Sequence, residues 1–328
     1  MDPRNAKEAA REALSQATYD SKKIALIYAA ASVLFSLLCS VLSYAMGVAA
    51  EKATGLNGLA TRALLESIQR VLSMGSTLVI VFWQIGLVST ALNYAKREAV
   101  DHRSLMAGFR RWGAVLRLSL LLFLLIMGLM LACSYIATFI FAMSPLSAPL
   151  AEKMTALDVG NTGAITEEMI AELIPLSGGF LVVFLLVLIV VGLPLFYRYR
   201  MSELALMNGA TGARAAIRES KVLSLHRRMD MFKLDLSFWW FFLLMFLAST
   251  ISYADVLLGL TGVAVPINAN LLFWGCYLLS LGLQFLISWK FVLYYHTAYA
   301  VLFNRLKEDL DKPDMVNPIF ADIPPNSF

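Results

Sequence analysis

The residues that most often carry chemistry are few in this chain and scattered. His102, His226 and His296 lie far apart and form no cluster with metal-ligand spacing, so no metal site is expected. Cys39, Cys133 and Cys276 each stand inside a long apolar run, where an aqueous oxidant has poor access. They read as small buried apolar residues, neither disulfide partners nor redox groups. The phosphate-cradling, dinucleotide, HExxH and GxSxG patterns are all absent. Ser119, Ser237, His226 and Asp235 come nearest to a catalytic set, but they share no motif. No residue is assigned a catalytic role and no cofactor is implied.

Two further groups stand out by position. Gln84 and Gln284 fall near the middle of apolar runs, where an amide needs a partner across a helix interface or the wall of a small cavity. Carboxylates or histidines at depth, as a proton relay would use, are not found with them. The other group is Arg214, Arg218, Lys221, Arg227, Arg228 and Lys233, a cationic cluster in one connecting segment. Set against anionic headgroups, each such cation is worth about 1 kcal/mol. These six are the candidate lipid- or partner-binding residues.

What positions them is a membrane. Of 328 residues, 59% are apolar and 15% charged, and the mean hydropathy is +0.70. A soluble domain carries about 25% charged residues. The 27 Lys and Arg exceed the 23 Asp and Glu by a net charge of only +4, too little to argue for nucleic acid. Six runs reach the roughly 20 apolar residues that cross a bilayer as helix. They are Ile24 to Met46, Val71 to Asn93, Ala114 to Met143, Gly178 to Tyr197, Phe238 to Leu258 and Leu271 to Tyr295. The expected fold is an all-α, polytopic membrane helical bundle of six transmembrane helices with amphipathic surface helices. Residues 1–312 form one membrane domain and 313–328, with four prolines, an irregular tail.

Lys and Arg concentrate before the first run, between the second and third, between the fourth and fifth, and after the sixth. By the positive-inside rule those segments and both termini are cytoplasmic. The stretch ahead of the first run is too long and polar for a cleavable signal. With Asp2 as cap and Pro3 at the first position, it reads as a cytoplasmic helix. Leu64, Leu65, Ile68 and Leu72 predict a surface helix running into the second span, and Thr166 to Leu173 a short one in the acidic external loop. Pro194, after Gly192, is expected to bend or end the fourth span. The long third and sixth runs either tilt or continue as helix beyond the lipid. Lys290, Trp289, Tyr294 and Tyr295 read as an interfacial belt.

Within the basic segment, Ala213 to Leu225 predicts a helix with Ala216, Ile217, Ser220, Leu223 and Ser224 near one face. Ala216, Ile217, Ser220 and Leu223, followed by His226, Arg227, Phe232, Leu234, Leu236, Ser237, Phe238 and Trp240, resemble a recurring pattern. It is A-I, two residues, S, then a basic residue and F-x-L-x-L-S-F-x-x-W, from an uncharacterised family of bacterial integral membrane proteins (domain of unknown function 975). Leu223, Ser224 and Leu225 depart from that family's usual Met, basic residue and Gly. The resemblance implies a polytopic bacterial membrane protein and brings no activity, substrate or catalytic residue. A shorter echo, Phe109 to Leu120 ahead of the third span, suggests related hairpins. The functional expectation is a scaffold or accessory protein whose basic face meets anionic lipid or a protein partner. The alternative is a transporter or permease component moving a small solute or lipid, which a polar cavity reaching Gln84 and Gln284 would favour.

Overall fold

A computed structural model describes residues 3–17, 20–53, 55–145, 147–149, 178–225, 227–254 and 269–311. Asp2, the helix expected in the acidic loop, His226 and the tail after 312 lie outside them. The described residues are helical, with no strand among them. The helices are α1 (Pro3–Ser15), α2 (Ser21–Lys52), α3 (Gly55–Ala95), α4 (Ala107–Arg110) and α5 (Trp112–Ala142). They continue as α6 (Gly178–Met207), α7 (Ala213–Leu223), α8 (Arg228–Ser237), α9 (Trp239–Ile251) and α10 (Leu271–Leu310).

Five of these, α2, α3, α5, α6 and α10, are long and apolar enough to cross a membrane. This fits a multi-pass membrane protein. The run expected as the fifth span, Phe238 to Leu258, starts at a bend: α8, ahead of it, and α9, within it, meet at 60°, and residues 255–258 lie outside the described residues. At the junction Phe238 leaves helical geometry (φ −106°, ψ 16°), and its ring is buried against Tyr294 and Tyr295 at 5.3 Å. Burial of that ring fixes the bend. Alone, the 13 residues of α9 rise only about 20 Å.

The remaining elements follow the sequence closely. Asp20 caps α2 by accepting from the Lys22 backbone amide at 3.0 Å. The amphipathic stretch from Leu64 continues into the second span as one 41-residue helix. Pro194 does not end α6. A π-helical turn over Leu188–Gly192 precedes it and absorbs the missing donor and the ring's bulk, so the helix runs on to Met207. A second π turn, Ser288–Val292, interrupts α10. Beyond it α10 continues as a buried helix, with Ala298 through Phe303 all excluded from solvent.

The main core lies at the basic end of the bundle. It draws Ala6 and Ala10 from α1, Ile85, Val88 and Leu92 from α3, Leu118 from α5, Met201 from α6, Ile217 from α7 and Phe303 from α10. Three of the basic segments therefore share this core, and the fourth, between α3 and α5, joins the platform through Val100 and Leu105 on a second cluster with Leu87 of α3 and Leu293 of α10. The Ala6, Ala10 and Ala13 stripe lets α1 lie close on this core. Lys7 holds it in register: its ammonium sits 4.2 Å from the Phe238 ring centre and donates to the Ser237 carbonyl. Burial, helped by nearby Arg11, pushes the Lys7 pKa below its usual value. Farther along, α5 and α6 pack on each other through Cys133, Ala137 and Val187, while Leu124, Leu131 and Phe139 turn outward.

Backbone contact joins α3 to the turn before α4. A Cβ built on Gly86 would stand 1.8 Å from the Leu105 carbonyl oxygen, and one on Gly108 would stand 2.1 Å from that of Phe82. Thr90 and Ser104 share a 2.8 Å hydroxyl contact beside it. Gly86→Ala must separate these backbones and is expected to cost at least 1–3 kcal/mol, the range of about that size found for overpacked cores. Gly75→Ala, on the same helix with open space around it, is expected to be neutral or to stabilise by about 0.5–1 kcal/mol. Thermal unfolding in detergent distinguishes them, and equal midpoints would refute the close-contact account.

Candidate functional site

A buried polar network lies where α6, α8 and α10 meet. Between Tyr199 and Ser202 the regular geometry of α6 lapses, and the Met201 amide bonds to Ser220 Oγ at 3.1 Å. Ser220 Oγ in turn donates to the Arg198 carbonyl at 3.0 Å, and Ser224 Oγ reaches the same carbonyl at 3.3 Å. The buried face predicted for α7 is thus the one that docks, with Ala216, Ile217, Ser220 and Leu223 all excluded. Its serines supply hydrogen bonds the interrupted helix cannot make.

That interruption aims Arg200 inward. Its Nη2 donates to the Tyr295 hydroxyl, which donates to Asp235 Oδ1 at 2.8 Å. Tyr197 donates to Asp235 Oδ2 at 2.7 Å. The guanidinium also lies 5.0 Å from the Tyr299 ring centre, 5.7 Å from Tyr295 and 5.8 Å from Phe196. Arg200 and Asp235 are therefore an ion pair joined through a tyrosine, each charge covered by aromatic surface and hydroxyl hydrogen bonds. Asp235 stood out in the sequence, but as a loose catalytic candidate. Sequence reasoning misses Arg200, Tyr197 and Glu203 because the fourth apolar run ends at Tyr197. The overlooked signal is that Leu204, Ala205, Leu206 and Met207 continue the apolar pattern, which places Arg200 and Glu203 inside it.

Arg200 and Glu203 also line a cleft of about 570 Å³ between α5 and α6. Its other walls are apolar, among them Leu122, Leu125, Leu129 and Ala132 of α5 and Leu195 and Phe196 of α6. Toward the opposite end of the bundle lies a more polar cleft of about 630 Å³ among α2, α3 and α10, with Ser40, Ser43, Glu51, Gln69 and Tyr277. Gln69 donates to Ser43 Oγ at 2.8 Å there.

The sequence's candidates are dispersed. Arg214, Arg218 and Lys233 are exposed at the basic end. Lys221 is half-buried, 5.5 Å from the Tyr199 ring centre. Arg227 stands 3.6 Å from Asp230 and 3.9 Å from Asp309, and Arg228 is half-buried. The six are thus three open cations and three engaged in or set against the fold. Gln84 and Gln284 are both half-buried, and neither lines the clefts described above. Gln284 donates to Ser280 Oγ at 3.0 Å, and Ser280 donates to the Ala248 carbonyl at 2.7 Å. This is a structural bridge between α10 and α9. Among the described residues no three His, Cys, Asp or Glu side chains gather as a metal site. No family model, curated protein or solved structure matches the chain.

Removing one of Asp235's hydroxyl donors by Tyr197→Phe is expected to cost about 1–3 kcal/mol. Asp235→Ala, which strips Arg200 of its counter-charge, is expected to cost about 3–5 kcal/mol. Denaturation monitored by size-exclusion fluorescence checks the order, and an Asp235→Ala protein as stable as wild type would overturn the pairing.

Proposed function

We propose that this chain is a six-span scaffold or accessory protein of the bacterial plasma membrane, with both termini cytoplasmic and its basic end held against anionic lipid or an acidic protein partner. The observation that carries this reading is the platform. Three separate basic segments share one core, and the fourth packs through Val100 and Leu105 on a neighbouring cluster built from the same α3 and α10, so their cations are presented from a fixed surface. Fixed cations lose less freedom on binding than cations on a loose loop. Counting α8 and α9 as one bent crossing gives the sixth span. Membership in the uncharacterised bacterial family is part of the proposal. The motif's serine at Ser220 has a clear physical task, pinning the interrupted α6.

Transport is the second reading, favoured by the polar cleft that includes Ser40, Ser43 and Glu51. It lacks support from Gln84 and Gln284, which lie apart from that cleft. The scaffold reading is therefore preferred. It takes membrane lipid and a protein as partners, and no nucleic acid.

Arg214→Glu, Arg218→Glu and Lys233→Glu together reverse the three exposed cations without touching the core. In neutral-lipid nanodiscs, the triple variant is expected to bind anionic vesicles about a hundredfold more weakly than wild type. Co-flotation with phosphatidylglycerol vesicles measures this, with phosphatidylcholine vesicles as the background. Undiminished flotation would refute a lipid-binding platform.

A further inference from the structure

The cleft between α5 and α6 has the form of an amphiphile. From Leu122 to Ala132 its α5 wall advances ten residues, about 15 Å of helix and so about one leaflet of a 30 Å hydrocarbon core. Leu124, Leu125 and Ile126 on its rim are exposed, so it opens sideways where acyl chains would lie. Only one end is charged, the end nearer the basic platform, where Arg200 and Glu203 stand.

The two charges are unequally satisfied. Asp235 already balances Arg200 through Tyr295. The guanidinium's Nη2 is committed there, while Nε is buried without a hydrogen-bond partner. Glu203 makes no hydrogen bond among the described residues; the charge it faces is that of Arg200, and the Tyr28 hydroxyl also senses it. With Asp235 set against Arg200, Glu203 has no hydrogen-bond donor and no cation of its own, while Arg200 Nε has no acceptor. A carboxylate left in such a place is costly.

We propose that this cleft holds a phospholipid with a primary-amine headgroup. One acyl chain lies along Leu122 to Ala132, the phosphate meets the Arg200 guanidinium and the ammonium meets Glu203. An anionic lipid brings the phosphate without the cation. A choline lipid brings the cation without N–H donors. Phosphatidylethanolamine brings both, each matched by a charged group at one end of an apolar slot. The site differs from the platform's exposed cations in location and in presenting both a cation and a carboxylate, so its lipid preference differs from theirs.

The test uses the full chain, stripped in detergent and offered equal amounts of phosphatidylethanolamine, phosphatidylglycerol and phosphatidylcholine, with bound lipid read by native mass spectrometry. Wild type is expected to retain the ethanolamine lipid about tenfold over either competitor, the worth of one charge-assisted hydrogen bond. Glu203→Gln is expected to erase that preference. Gly128→Leu fills the cleft from a position where an added Cβ meets nothing within 4 Å, and should reduce retained lipid about tenfold with the melting midpoint unchanged. Equal retention of the three lipids by wild type would overturn the proposal. So would an undiminished preference in Glu203→Gln, or undiminished retention in a folded Gly128→Leu. Reversing Arg214, Arg218 and Lys233 should leave all of this intact, which separates failure here from failure of the platform reading.

Discussion

An arginine placed against the ends of apolar helices must have its charge met on the spot, because lipid offers it nothing. The coupling of Arg200 to Asp235 through Tyr295 meets that demand using three separate elements, α6, α8 and α10. Much of the architecture at the basic end serves it. The bend at Phe238 lets α8 approach from the side, and Ser220 and Ser224 hold open the interruption that carries Arg200. The apolar core beneath then forms around a polar knot whose geometry is directional. Apolar packing alone would leave the helices freer to slide past one another.

This arrangement accounts for the uneven build of the molecule. At the basic end the helices are locked by hydrogen bonds, by glycine-mediated backbone contact at Gly86 and Gly108, and by α1 lying across Phe238. Farther along, α5 and α6 depend on a small cluster around Cys133, with Leu124, Leu131, Leu181 and Leu186 outward. A rigid platform thus carries a lightly packed lipid-facing pair, and between the two helices of that pair lies a slot with a charged end.

How far the sequence could be read follows the same division. Helix identity and amphipathic faces are local properties. The Asp20 cap, the run of Leu64 into the second span and the Ala216, Ile217, Ser220 and Leu223 face were accordingly legible from spacing alone. The π turn before Pro194 and the bend at Phe238 depend on what packs against them, and hydropathy carries no trace of either. The network was hidden for a related reason. Tyr197, Arg200, Asp235 and Tyr295 are separated by up to 98 positions and belong to three elements, so no motif unites them. Arg200 and Glu203 are hidden because the charges at Arg198 and Arg200 end the apolar run at Tyr197, although the helix continues past them. The six cations are visible as a cluster, yet Asp309 of α10 stands 3.9 Å from Arg227 and offsets its charge, which one segment read alone cannot show.

The two π turns bear on this network in another way. A π turn accommodates about one more residue than an α turn, so every side chain after it is rotated by about 100° relative to an uninterrupted helix. In α6 the turn at Leu188–Gly192 comes just before Tyr197 and Arg200, and in α10 the turn at Ser288–Val292 comes just before Tyr295 and Tyr299. Each turn therefore acts as a phase shifter. The membrane-embedded part of either helix can keep the face that suits lipid and neighbours, while its end turns a different face toward Asp235. The chain thereby separates two demands that a regular helix would tie together, and one extra residue in each helix is enough to do it.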